Sequence, residues 1–124
     1  MTSVICCLEC SDEYMTALTE VRHQVVNGCG PGGWKYDLIP DHLYGLSIHE
    51  ACDIHDWDYA VGVSDADKVA ADERFLRNLN AIINAYHGWH SFLNFRRRVV
   101  AYAFYKAVAL AGDESFWSGK ERTA

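Results

Sequence analysis

His55 and Asp72 are the two residues of this chain best placed to do chemistry together. His55 lies on a helical stripe of Ile48, Cys52, His55, Tyr59 and Gly62, which steps by alternate threes and fours. Asp72 is the only charged member of a second such stripe: Val69, Asp72, Leu76, Leu79, Ile83 and Tyr86. A hairpin turning at residues 62–64 would bring the two to nearly the same height. An imidazole buried without a polar partner costs ~1–3 kcal/mol, so the pairing is expected on energetic grounds alone. An oriented His–Asp pair makes imidazole a general base. The same pair could instead do no more than set helix register.

The elements that must position these residues are helices. Ser47 is placed to cap the helix of His55, with Glu50 at the capping-box position, and Ser64 and Asp67 are placed alike for the helix of Asp72. Upstream, Ser11 can start a helix reaching about Val26, with Tyr14, Leu18, Val21 and Val25 on its stripe and Met15 alongside. Asn27 and Gly28 stop it. Next come Gly28-Cys29-Gly30-Pro31-Gly32-Gly33, a run that frees backbone torsions so that carbonyls or amides can face an ion. By itself such a run is also an ordinary turn. Trp34 to Leu46 reads as an irregular connector.

Downstream, His87 and Gly88 end the helix of Asp72, and Ser91 starts a third long helix reaching about Ala111. That helix is apolar on most sides, which predicts central packing or contact with several neighbours. Arg96, Arg97 and Arg98 interrupt it and must point in different directions, so a solvated face with one or two ion pairs is expected. Gly112 ends the helix, and the tail holds Phe116 and Trp117 among polar residues. Strand signals are almost absent. The fold expected is all-α, one domain over residues 1–124.

A net charge of -6 argues against general attraction to nucleic acid or anionic membrane. No apolar run approaches the ~20 residues of a transmembrane helix. The N-terminus lacks a signal-peptide pattern, so cytoplasmic synthesis is expected, with release or delivery to a membrane left open. Five cysteines (Cys6, Cys7, Cys10, Cys29 and Cys52) leave at least one unpaired within a monomer.

Gly28-Cys29-Gly30-Pro31-Gly32-Gly33, followed by Cys52-Asp53-Ile54-His55-Asp56-Trp57-Asp58-Tyr59, resembles phospholipase A2. That family joins a Cys-Gly-x-Gly-Gly calcium loop to a Cys-x-x-His-Asp-x-x-Tyr helix. Ala71-Asp72-Glu73-Arg74-Phe75 looks like the segment supplying the family's second aspartate, in the form seen in its short viral and bacterial branches. The resemblance covers roughly residues 28–76. It implies that His55 deprotonates the attacking water, that Asp72 orients His55 and that Tyr59 hydrogen-bonds the aspartate. It further implies a calcium ion held by the Asp56 carboxylate and the carbonyls of Gly28, Gly30 and Gly32, with the Gly30 amide facing the oxyanion. The fold it implies is an N-terminal helix, a calcium-binding loop, two antiparallel helices carrying the His–Asp pair and a further C-terminal helix.

Cys29 and Cys52 coincide with positions that disulfide-rich members bridge. Ala51 and Asp58 stand where the family has further cysteines, so core packing must replace most of the framework disulfides. The implied activity is calcium-dependent hydrolysis of the sn-2 acyl ester, with the phospholipid membrane surface as partner. An acyl channel would be walled by Tyr14, Met15, Leu18, Trp34, Leu38, Leu43 and Tyr44, with Trp34 at its mouth.

Two other readings compete. One is a non-catalytic calcium-binding or assembly module of the same fold. The other is a zinc protein, with His49-Glu50-Ala51-Cys52-Asp53 or the pair His49 and His55 as its candidate ligands. His49 and His55 do not share a helix face, and Asp53 stands where a zinc-protease helix needs its second histidine.

Overall fold

The computed structural model describes residues 8–16, 42–43, 46–85, 91–117 and 120. The order is α1 (Asp12–Thr16), β1 (His42–Leu43), β2 (Leu46–Ser47), α2 (His49–Val61), α3 (Asp65–Ala85), α4 (Ser91–Ala111) and α5 (Asp113–Trp117). The architecture is all-α. The two short strands form a single antiparallel pairing, His42 with Ser47 and Leu43 with Leu46.

The short connection between α2 and α3 folds them back on one another, and α4 packs along α3. Ile48, Cys52, Ile54, Phe75, Leu79, Ile83, Ala101 and Val108 fill the core between these helices. Every member of the α2 stripe from Ile48 to Gly62 is buried.

The α3 stripe needs correction. Val69 is exposed, whereas Lys68, Ala71, Phe75, Asn78 and Ile82 are buried beside Asp72, Leu79 and Ile83. Because α3 lies between α2 and α4, its buried arc is wide and turned towards Lys68 and Phe75. Asp72 is therefore not the only charged side chain on that face.

The caps divide. The Asp67 N–H donates to Ser64 Oγ at 3.1 Å, and the Asp67 carboxylate accepts from the Val63 N–H at 2.8 Å, so Ser64 and Asp67 close the start of α3. Likewise the Tyr14 N–H donates to Ser11 Oγ at the start of α1. Ser47 sits one residue outside the cap position: Ile48 takes that position without a side-chain bond, while Ser47, paired in β2, accepts the first N–H of α2, from His49, at 3.4 Å. Glu50 is consequently not in a capping box, and accepts from the Tyr14 hydroxyl at 2.6 Å.

The C-terminal segment packs rather than trails. Gly112 ends α4, its N–H donating to the Val108 carbonyl at 2.8 Å, and α5 follows at once. Phe116 and Trp117 form a second apolar cluster with Tyr59 and Ala71. Phe116 meets the Tyr59 ring edge-on at 5.2 Å, and it fits only because residue 62 is glycine. A Cβ there would sit 2.7 Å from the Phe116 ring.

One face of α4 stays in solvent. Phe95, Val99, Tyr102 and Leu110 are all more than half exposed, so the expectation of central packing holds only for the Arg97, Ala101 and Val108 side.

Candidate functional site

His55 sits in mid-α2 with only 1% of its surface exposed. Its Nε2 lies 2.7 Å from Asp72 Oδ1 on α3. Tyr59, one turn further along α2, donates its hydroxyl to the same oxygen at 2.7 Å. The imidazole is sandwiched between the Tyr59 ring at 4.1 Å and the Phe75 ring at 4.7 Å, centroid to centroid. Sequence periodicity alone was enough to bring these groups together.

Lys68 is the member that sequence reasoning missed. One turn before Asp72, its ammonium donates to Asp72 Oδ2 at 2.8 Å. It also donates to the carbonyls of Val108 and Ala109, at 3.4 and 3.3 Å, in the last turn of α4. The signal was present as a Lys–Asp pair at the i, i+4 spacing that helices use. A stripe through Val69 places Lys68 one position off the buried face.

The electrostatics follow from this packing. Burial by itself would raise the Asp72 carboxyl, but the hydrogen bonds and charges of His55, Lys68 and Tyr59 outweigh it and hold the group below its usual value. An ionised carboxylate only accepts, so His55 Nε2 carries the proton in this bond. In neutral imidazole the lone pair is then on Nδ1. Burial, reinforced by the Asp72 charge, raises the Tyr59 hydroxyl, which stays protonated as a donor.

Asp56 follows His55 directly and is only partly buried, about 100° further round α2. Gly28, Gly30 and Gly32 lie outside the described residues, as do Cys6, Cys7, Cys29, Leu18, Trp34, Leu38 and Tyr44. Cys52 is fully buried and disulfide-bonded, its partner lying outside the described residues. Cys10 is a thiol.

Of the proposed channel walls, Tyr14 is buried edge-on against Trp57 at 5.6 Å, with its hydroxyl on Glu50, so it braces α1 against α2. Met15 is exposed, and Leu43 lies in β1. The three arginines diverge as expected, with Arg98 bonding Asn84 and Arg96 exposed, but they do not share in one solvated face: Arg97 is buried, with Nη1 on Asn94.

His49 is half exposed and pairs with Asp53 at 3.2 Å, on a different face from His55. Among the described residues no group of three or more His, Cys, Asp or Glu is arranged to hold a metal ion.

Asp58 is bridged across to α3 by Arg74 at 3.0 and 3.2 Å. Burial raises its carboxyl to about 6, against the opposing charge and hydrogen bond of Arg74. The pair borders a cavity of about 250 Å³, shared with Asp67 and Val61, that contains neither His55 nor Asp72.

The site therefore consists of an imidazole oriented through Nε2 by an ionised, fully hydrogen-bonded carboxylate, with a second carboxylate on the neighbouring residue. No protein-family profile, curated protein or solved structure matches the chain, so its functional reading rests on these residues.

Proposed function

We propose that the chain hydrolyses the sn-2 acyl ester of phospholipids, with calcium as cofactor and a lipid surface as the source of substrate. The observation that carries this reading is the His55–Asp72–Tyr59 network, bonded through Nε2 and followed immediately by Asp56.

His55 Nδ1 takes a proton from water as the hydroxide equivalent attacks the ester carbonyl. The imidazolium that forms is stabilised by Asp72, which remains ionised. Tyr59 donates to the same carboxylate oxygen and so supports its charged form. Collapse of the tetrahedral intermediate returns the proton to the departing alkoxide, leaving a fatty acid and a lysophospholipid. No covalent intermediate with the chain is needed.

The donor set fits calcium. Asp56 offers a hard carboxylate, and the resemblance adds the carbonyls of Gly28, Gly30 and Gly32, an all-oxygen shell of the kind that ion takes. When bound, calcium supplies a positive charge for the ester oxygen. The Gly30 amide would donate to that same oxygen. In this reading the disulfide at Cys52 is made with Cys29, tying the glycine-rich loop to α2.

A non-catalytic module of the same fold is the second reading. It is favoured by the Asp72–Lys68 ion pair, which also serves helix register. The test is hydrolysis of mixed phospholipid vesicles, with calcium and with excess chelator, followed by product identification. Lysophospholipid formed only with calcium supports the enzyme. Full activity in chelator removes the calcium mechanism, and calcium binding without turnover leaves the module.

A further inference from the structure

We infer that Lys68 is a positioning residue of this site, clamping the Asp72 carboxylate to the last turn of α4 and so holding the His55 ring in its working orientation. The inference rests on the hydrolase reading for its catalytic consequence, but its geometry stands apart from that reading.

An ammonium has three N–H donors, and here three acceptors surround it: Asp72 Oδ2, the Val108 carbonyl and the Ala109 carbonyl. Lys68 is 7% exposed, so solvent does little to replace any of them. Val108 and Ala109 belong to the last turn of α4; the Val108 carbonyl also accepts from the Gly112 N–H, and a carbonyl oxygen has a second lone pair to offer the ammonium. A cation near that end also meets the negative pole of the helix.

The division of labour at the carboxylate is what makes the role specific. Oδ1 accepts from His55 and Tyr59, both on α2. Oδ2 is held by Lys68, on α3 itself. The terminal torsion of an aspartate is broad, so donors on Oδ1 alone leave the carboxylate plane free to rock. Holding Oδ2 from the other side fixes that plane, and with it the direction of the Nε2–H bond. Because Lys68 reaches α4 as well, α4 registers the site and does not merely cover it.

A tie whose only role is structural makes a different prediction from a positioning tie, so the test uses two variants of the full-length chain. Lys68→Arg keeps the charge and the donors, whereas Lys68→Gln keeps one donor group and loses the charge. Turnover is read on a short-chain phosphatidylcholine dispersed as monomers, with calcium in excess. In Lys68→Gln, kcat should fall by about tenfold or more with KM within about twofold, and Lys68→Arg should recover most of the loss.

The second readout needs no turnover. Proton NMR observes the His55 Nε2–H resonance, shifted downfield and slow to exchange while it is held on Asp72. That signal should persist in the parent chain and in Lys68→Arg, and broaden or vanish in Lys68→Gln. If the parent hydrolyses nothing but its signal still depends on Lys68, the hydrolase reading fails and the positioning role stands. An unchanged signal and unchanged kcat in Lys68→Gln overturn the inference. So does a Lys68→Gln chain that does not fold beside a Lys68→Arg chain that does, since the tie is then structural.

Discussion

Asp58 makes the stability of this protein depend on pH in a direction that its ion pair with Arg74 conceals. Its side chain is only 11% exposed, and burial raises the carboxyl from 3.8 to about 6 despite the guanidinium beside it. The folded chain thus binds this proton more tightly than the unfolded chain does. At ~1.4 kcal/mol per pH unit, the difference amounts to about 3 kcal/mol. Since the folded value is the higher one, the stabilisation is complete below about pH 4 and is lost as pH rises through about 6. Asp72 works in the opposite sense: its carboxyl is lowered, so its contribution is present above the unfolded value and lost as pH falls. Comparing the parent chain with Asp58→Asn cancels the Asp72 contribution, which both share. Urea unfolding at intervals from about pH 3.5 to 6.5 measures the gap directly. The parent should lose up to about 3 kcal/mol relative to the variant across that range. Two parallel curves would show that Arg74 compensates the buried charge completely, and the reasoning from burial would be refuted.

Three further outcomes follow from other contacts. Gly62→Ala drives a Cβ to 2.7 Å from the buried Phe116 ring and should cost about 1–3 kcal/mol in thermal or urea unfolding. Combining it with Phe116→Leu should recover part of the loss; an unshifted melt in the single variant would mean that the ring yields freely. Tyr59→Phe removes a donor from the ionised Asp72 and should lower stability by about 1.5–3 kcal/mol, read from the urea midpoint at constant slope. Unchanged stability would mean that Lys68 and His55 satisfy the carboxylate without it. Asp56→Asn should abolish both calcium binding, followed by calorimetry, and vesicle hydrolysis; retained calcium affinity would place the ion elsewhere.

The buried polar network explains why these perturbations differ in kind. Tyr59 and Lys68 act on one carboxylate from two sides, so their deletions should not add. Gly62 and Phe116 act through packing alone, on the far side of the Tyr59 ring.

The spacing of residues along the chain determined the parts of this site that lie on one helix or across one short turn. Ile48, Cys52, His55 and Tyr59 share a face because a helix repeats every 3.6 residues, and a turn near Gly62 must return Asp72 to the height of His55. The Ser64–Asp67 cap was legible for the same reason: its partners are three or four residues apart. What periodicity could not decide was how α3 rolls about its own axis. That depends on α4, whose packing turns Val69 outward and carries Lys68 into the core. Ser47 stands one residue outside the cap position, still accepting from the His49 N–H, because it pairs with His42 in a strand, and pairing is settled between segments. The burial of Phe116 and Trp117 was equally hidden, since their receptors, Tyr59 and Asp65, lie 57 and 52 residues away, respectively. Local geometry thus brought imidazole and carboxylate together, while the packing of α4 decided what else holds the carboxylate in place.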